Sequence, residues 1–146
     1  MKYKFMNQQT RIQHLRKFFV ALPDNLTVGG YLDLSGTQIT ALPDNLTVGG
    51  SLDLRGTQIT ALPDNLTVGG SLYLSGTKIE DAVYGCGVHE RTIRKYNHPQ
   101  KGWVVSLGCF IGTEEECHVA IRNKYSGKNA DEYCEKITQA FKSVED

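Results

Sequence analysis

The sequence predicts an α+β fold. Three stacked twenty-residue coils form a solenoid, which is closed by an N-terminal helical cap and by a small ββαα unit at the C-terminus. Residues 21–80 consist of one twenty-residue unit written three times. A helix pattern precedes this array, and alternating strand patterns with two helix patterns follow it. A fixed period of about twenty to fifty residues is typical of solenoids, whose repeats are stable only against their neighbours.

The N-terminal residues 1–20 are predicted to cap the first coil. Their first six residues alternate lysines with aromatic side chains, which favours a short strand. From about residue 7, Ile12, Leu15 and Phe19 fall on one helical stripe. A stack of coils otherwise exposes apolar side chains and unpaired strand edges at its ends, so we assign residues 1–20 to a cap.

Each repeat contains two alternating segments on either side of a glycine pair. In every copy LTV precedes the pair, and an alternating segment with leucines at its first and third positions follows it. Alternation predicts short strands with the leucines turned inward. The glycine pair permits a tight bend between them.

The repeat resembles the short bacterial type of leucine-rich repeat, LxLxxNxLxxLPxxL. The match is carried by Leu32, Leu34, Thr37, Ile39, Leu42, Pro43 and Leu46, and again twenty residues later. The resemblance implies a solenoid architecture. A threonine stands where that family has its ladder asparagine, and its hydroxyl can replace only part of such a ladder. The strand-like LTVGG segment also departs from the family and leaves a β-solenoid cross-section open. The chain further resembles uncharacterised prophage-borne proteins with LPDNLTVGGSLDLSGTQIT arrays.

The C-terminal residues 81–146 are predicted to form the ββαα unit, docked on the last coil. A strand over residues 91–96 is expected to pair with residues 103–107 around a turn. Thr113 and Glu116 form the pattern of a capping box and predict a helix start. The last helix is expected after Asn129, with an apolar stripe that includes Tyr133 and Ile137.

Charge and composition restrict the partners. The formal net charge is zero, with five Lys/Arg and no acid in residues 1–20, −4 over residues 21–80 and −1 over residues 81–146. No broad basic field and no apolar run long enough to cross a membrane are present. We expect a cytoplasmic protein with reduced cysteines and no membrane partner.

The differences between the three copies predict the binding surface. The copies differ in five columns only, and three of these alternate with the inward leucines. Side chains in these columns should point outward and lie about 4.8 Å apart in neighbouring coils. The resulting charged and aromatic patch is predicted to bind an unidentified protein partner through Tyr31, Asp33, Asp53, Arg55 and Tyr73.

Two alternatives lie in the C-terminal unit. Cys86 and His89 could belong to a zinc site or supply a reactive thiol, and the two glycines that flank Cys86 are expected to leave it accessible. The basic and aromatic residues 91–101 could contact nucleic acid. We nevertheless expect no cofactor, no metal and no enzymatic activity, and the oligomeric state stays open.

Overall fold

The computed structural model describes residues 22–142. Both the predicted N-terminal strand and the predicted capping helix of residues 1–20 lie outside these residues. The described chain is a mixed α+β structure with parallel strand pairs and two helices.

Each copy of the repeat forms two strands of two residues, one on each side of the glycine pair. They are β1 (Thr27–Val28), β2 (Leu32–Asp33), β3 (Thr47–Val48), β4 (Leu52–Asp53), β5 (Thr67–Val68) and β6 (Leu72–Tyr73). Thr27 pairs with Thr47, which pairs with Thr67, and Leu32 pairs with Leu52 in the same parallel manner. The strands predicted from the alternation are confirmed, and equivalent residues of successive copies lie side by side.

Identical leucines fill the space between the two rows of strands. Leu32, Leu34, Leu52 and Leu54 are each 0 % exposed. Burial of an aliphatic side chain contributes about 1.5–3 kcal/mol, and each copy repeats the same set. The identity of these leucines in the three copies therefore follows from the shared core.

Close backbone approach, rather than the bend alone, explains the repeated glycine pair. A Cβ built on Gly49 would lie 2.5 Å from the carbonyl oxygen of Gly29, and Gly69 meets Gly49 in the same way. Among residues 22–142, no atom lies within 4 Å of such a Cβ on Gly29. The glycines are thus needed where one copy packs onto the previous one.

The ladder between copies is built from asparagines at a different position from the one suggested by the leucine-rich-repeat resemblance. Asn45 Nδ2 donates to Asn25 Oδ1 at 2.9 Å, and Asn65 Nδ2 donates to Asn45 Oδ1 at 2.8 Å. Thr37 and Thr57 instead donate to the carbonyls three residues before them, at 2.6 and 2.7 Å. A short hydroxyl reaches its own turn but not the next copy, so the expected partial replacement by threonine is wrong.

The C-terminal unit contains five strands before its two helices, so the predicted ββαα order is incomplete. These elements are β7 (Val83–Cys86), β8 (Arg91–Ile93), β9 (Tyr96–His98), β10 (Gly102–Leu107), β11 (Phe110–Gly112), α1 (Glu114–Lys124) and α2 (Gly127–Lys142). The predicted strand over 91–96 is split: β8 pairs with β7, and β9 pairs with β10. The break falls at Arg94 and Lys95, both of which are buried by partners that the alternation could not reveal.

Strand β9 joins the C-terminal unit to the repeats. Asn97 pairs in parallel with Thr67, which produces a six-stranded sheet of order β1-β3-β5-β9-β10-β11. Tyr96 donates to the carbonyl of Gly70 at 2.7 Å. The hydroxyl of Ser106 bonds both the amide and the carbonyl of Leu72, each at 3.0 Å. The C-terminal unit therefore supplies hydrogen-bond partners to the last copy at both of its strands.

The two helices pack on this unit around a second core. Thr113 and Glu116 form the predicted capping box at the start of α1. Helix α2 begins at Gly127, two residues before the predicted cap, and buries Tyr133 and Ile137 as expected. This core also contains the buried thiols of Cys86, Cys117 and Cys134.

Candidate binding surface

Three of the predicted binding residues lie in the three-stranded sheet β2-β4-β6, and the other two lie next to its strands. We call the five residues the variable face: Tyr31, Asp33, Asp53, Arg55 and Tyr73. Tyr31 is 40 % exposed and the Arg55 side chain is 56 % exposed, whereas Asp33 and Tyr73 are partly buried. Asp53 is only 1 % exposed. The expectation that all five side chains are open to solvent is therefore wrong for Asp53.

Asp53 is covered because longer side chains from its own copy and the previous one close over it. The Tyr31 hydroxyl donates to Asp53 Oδ2 at 3.0 Å. Arg55 donates to the same carboxylate from Nη2 at 2.6 Å, from Nε at 2.9 and 3.1 Å, and from its backbone amide at 3.1 Å. Both oxygens of this buried charge are satisfied, as a desolvated carboxylate requires.

The electrostatics of these groups follow from that arrangement. Burial alone raises the pKa of Asp53, but hydrogen bonds from Arg55 and Tyr31 outweigh it, so this pKa lies below its ordinary value. Burial, followed by the hydrogen bond to Asp53, raises the pKa of Tyr31 to about 12. Hydrogen bonding to Asp53 raises the pKa of Arg55. Around neutral pH the cluster thus holds a carboxylate, a guanidinium and a neutral phenol.

Arg55 connects Asp53 to the third copy. Its guanidinium carbon lies 5.3 Å from the centroid of the Tyr73 ring, within the range of a cation–π contact. Tyr31, Asp53, Arg55 and Tyr73 therefore form one continuous chain of contacts across all three copies. Asp33 Oδ1 accepts from the amide of Ser35 at 2.9 Å and holds its own turn, while its charge also acts on Tyr31 and Arg55.

The Cys86–His89 pair lacks the surroundings of a metal or nucleophilic site. Within residues 22–142 no group of three or more His, Cys, Asp or Glu residues is placed to hold a metal ion. Cys86 is 0 % exposed, so the accessibility expected from its flanking glycines is wrong. Burial raises the pKa of Cys86 to about 11 and that of Cys117 to about 12. Both thiols are kept protonated, and a thiol is a poor nucleophile and metal ligand.

The cations of residues 91–101 are bound within the fold. Arg94 is buried against Asp81 at 2.8 Å, and buried Lys95 donates to the carbonyl of Phe141 at 2.7 Å. Lys101 pairs with Glu116 at 3.0 Å. Arg91 Nη1 also donates to a tyrosine hydroxyl on α2 at 3.1 Å. The basic residues of this segment are paired with other parts of the fold rather than forming a continuous surface for phosphates.

A cavity of about 190 Å³ lies between the β7–β8 turn and α2. The rings of Tyr125 and Tyr133 stack beside it with centroids 6.0 Å apart. Lys136 reaches its wall, but its ammonium already donates to the carbonyls of Tyr84 and Gly85. The Lys136 ammonium, the group best suited to bind a ligand here, is therefore already hydrogen-bonded to the protein backbone.

Sequence reasoning missed one surface on the C-terminal unit. Phe110 and Val119 are 40 % and 55 % exposed and line an open groove between β11 and α1. The sequence signal that could have revealed this surface is the position of Val119. It lies off the apolar stripe of Cys117 and Ile121, so the core does not require an apolar residue there.

Comparisons with known proteins add no assignment, since no family model, no curated protein and no solved structure matches this chain. In the part of the chain that the structure describes, neither helix has the length and apolar character needed to cross a bilayer.

Proposed function

We propose that the protein is a small solenoid of leucine-rich-repeat type that binds another protein through the variable face. In this proposal the repeats form the three coils, residues 1–20 cap the first coil, and the C-terminal unit closes the last. The protein acts in the cytoplasm, as a prophage-type accessory protein directed at a host or phage protein. It has no catalytic role and needs no cofactor.

One observation carries the proposal. In three outward columns a single copy departs from the other two: Tyr31 replaces serine, Arg55 replaces serine and Tyr73 replaces aspartate. These three residues come from three different copies, yet all belong to the chain of contacts around Asp53. Independent drift at tolerant surface positions gives no reason for the departures to meet at one point.

The physical properties of the cluster suit recognition. The Arg55 guanidinium is held by Asp53 and rests on Tyr73, so it loses little further freedom when a partner binds. Its Nη1 makes no hydrogen bond to residues 22–142, which leaves donors for a partner acceptor. Tyrosine and arginine are also the residue types that dominate interface energetics.

The proposal is tested by comparing the proteins that the full chain and a variant retain from a lysate. In the variant, the three residues that differ from the other copies are replaced by the residues found in those copies. The variant combines Tyr31→Ser, Arg55→Ser and Tyr73→Asp, each of which occurs at the equivalent position of another copy. The full chain and the variant are immobilised, and proteins retained from a bacterial lysate are identified by mass spectrometry. We expect a protein retained by the full chain to be lost by the variant while its circular dichroism stays unchanged.

A matched control uses departures outside the cluster. Lys78→Gln and Glu80→Thr also restore the consensus, at exposed positions. Retention should be unaffected by this pair. Equal retention by the folded triple variant and the full chain would place the binding site elsewhere.

A further inference from the structure

The groove between β11 and α1 shares no residue with the variable face and has a volume of about 470 Å³. Its apolar part is formed by Phe110 from the strand and by Val119 and Ala120 from the helix. The opposite face of α1 supplies Cys117 and Ile121 to the core. Phe110 and Val119 are therefore exposed on a helix and strand that are already anchored by other residues.

The charges around the groove are unequal. Lys101 is neutralised by Glu116, whose Oε2 also accepts from the amide of Thr113 at 3.0 Å. The Glu115 side chain is exposed and makes no ion pair or hydrogen bond with the rest of residues 22–142. The groove thus presents one uncompensated carboxylate beside two exposed apolar side chains.

The start of helix α1 explains the glutamates of the groove but not its exposed apolar side chains. Glutamates in a first turn are stabilised by the positive end of the helix, so their presence on α1 needs no ligand. That effect does not account for a phenylalanine and a valine left in water next to them. Burial of apolar surface is the dominant favourable term in association, and an apolar side chain entering this groove would gain it.

We propose that this groove binds a short basic and apolar segment of a partner protein. An apolar side chain of the segment packs between Phe110 and Val119, and a neighbouring lysine or arginine pairs with Glu115. The carboxylate selects against acidic segments and against anionic lipid surfaces, because like charges brought together are unfavourable. This surface is independent of the variable face, so either proposal can fail without the other.

The test is an amide chemical-shift titration of the full chain with a capped hexapeptide of alternating lysine and leucine. A second hexapeptide, with glutamate in place of lysine, is the matched probe. The basic peptide should shift the amides of Phe110, Val119 and Ala120. The acidic peptide should bind about threefold to fivefold more weakly, which is the upper range expected of an exposed ion pair. Equal binding of the two peptides, or shifts confined to other residues, would overturn the proposal.

Variants separate the apolar and the charged contributions. Val119→Ser should weaken binding of the basic peptide, and Glu115→Lys should strengthen binding of the acidic peptide. Glu135→Lys makes the same charge change at an exposed position on α2 outside the groove and should alter neither affinity. All three positions are exposed, so the fold is expected to persist. If light scattering instead shows a dimer that Val119→Ser dissociates, the groove is a self-association surface and the proposal is wrong.

Discussion

The hydroxyl of Tyr31 in the first copy donates to the carboxylate of Asp53 in the second, at 3.0 Å. The contact buries a charge on the outward side of a strand, where the repeat pattern alone places solvent. It requires a residue that the other two copies lack, because serine occupies the positions equivalent to Tyr31. The contact is therefore specific to the first and second copies and does not recur along the array.

Replacing Asp53 with asparagine should destabilise the protein at neutral pH but not in acid. The pKa of Asp53 is lower in the folded state than in the unfolded chain, so its contribution is complete above an unfolded value of about 3.9. The contribution is lost as the pH falls through the lower, folded value. Urea unfolding should show a loss of about 1–3 kcal/mol at pH 7 for Asp53→Asn, shrinking towards pH 2.

Asp64→Asn is the control for this prediction, because Asp64 is exposed in the last copy. It should change the free energy of unfolding by less than about 0.5 kcal/mol. A loss for Asp53→Asn that stays the same from neutral to acid pH would contradict the assignment of a low pKa.

Tyr31 should ionise late in an alkaline titration. Its pKa is raised to about 12 by burial and by the hydrogen bond to Asp53, against an ordinary value of about 10. Its contribution to stability is complete below the unfolded value and is lost as the pH rises through the folded one. The ultraviolet absorbance of tyrosinate should therefore lose a step near pH 12 in Tyr31→Phe. Loss of a step near pH 10 instead would mean that the phenol is not bonded to Asp53.

Two glycines at equivalent positions should respond differently to alanine. In Gly69→Ala the new Cβ meets the carbonyl oxygen of Gly49, and overpacking of this kind destabilises by about 1–3 kcal/mol. In Gly29→Ala the Cβ meets no atom of residues 22–142 within 4 Å, and φ at this glycine is not positive. Thermal unfolding should show a lower Tm only for Gly69→Ala. Equal effects at the two sites would show that the bend, and not close packing, requires glycine.

Removing one whole period should preserve the fold. Deletion of residues 41–60 leaves the first copy facing the third, and Thr27 and Leu32 then meet the same residue types in the same register. Deletion of residues 41–50 brings different segments together and should prevent folding. Circular dichroism and urea unfolding distinguish these outcomes. If both deletion variants are unfolded, the result would argue against interchangeable copies.

The parts of the fold that depend on local pattern were predictable. The alternation around Thr27 and Leu32 gave the strands, and the spacing of Thr113 and Glu116 gave the start of α1. Local chemistry decides these features, and it is present in the sequence.

The errors concern what covers a side chain. Alternation correctly placed Asp53 on the outer side of its strand, but burial depended on Tyr31, twenty-two residues earlier. Flanking glycines suggested an open Cys86, yet packing against α2 encloses it. Arg94 and Lys95 interrupt a predicted strand because they are bound to Asp81 and Phe141. These partners are not neighbours in the sequence, so the local alternation did not reveal them. Such contacts require the tertiary arrangement.

The most direct measurement of the central proposal is the affinity of the captured partner for the full chain and for Arg55→Ser. Calorimetry on the purified pair should show at least about tenfold weaker binding for Arg55→Ser, as expected of a central arginine at an interface. Lys78→Gln should bind like the unaltered chain. If Arg55→Ser and the triple variant both bind the partner with the affinity of the unaltered chain, the variable face is not the recognition surface.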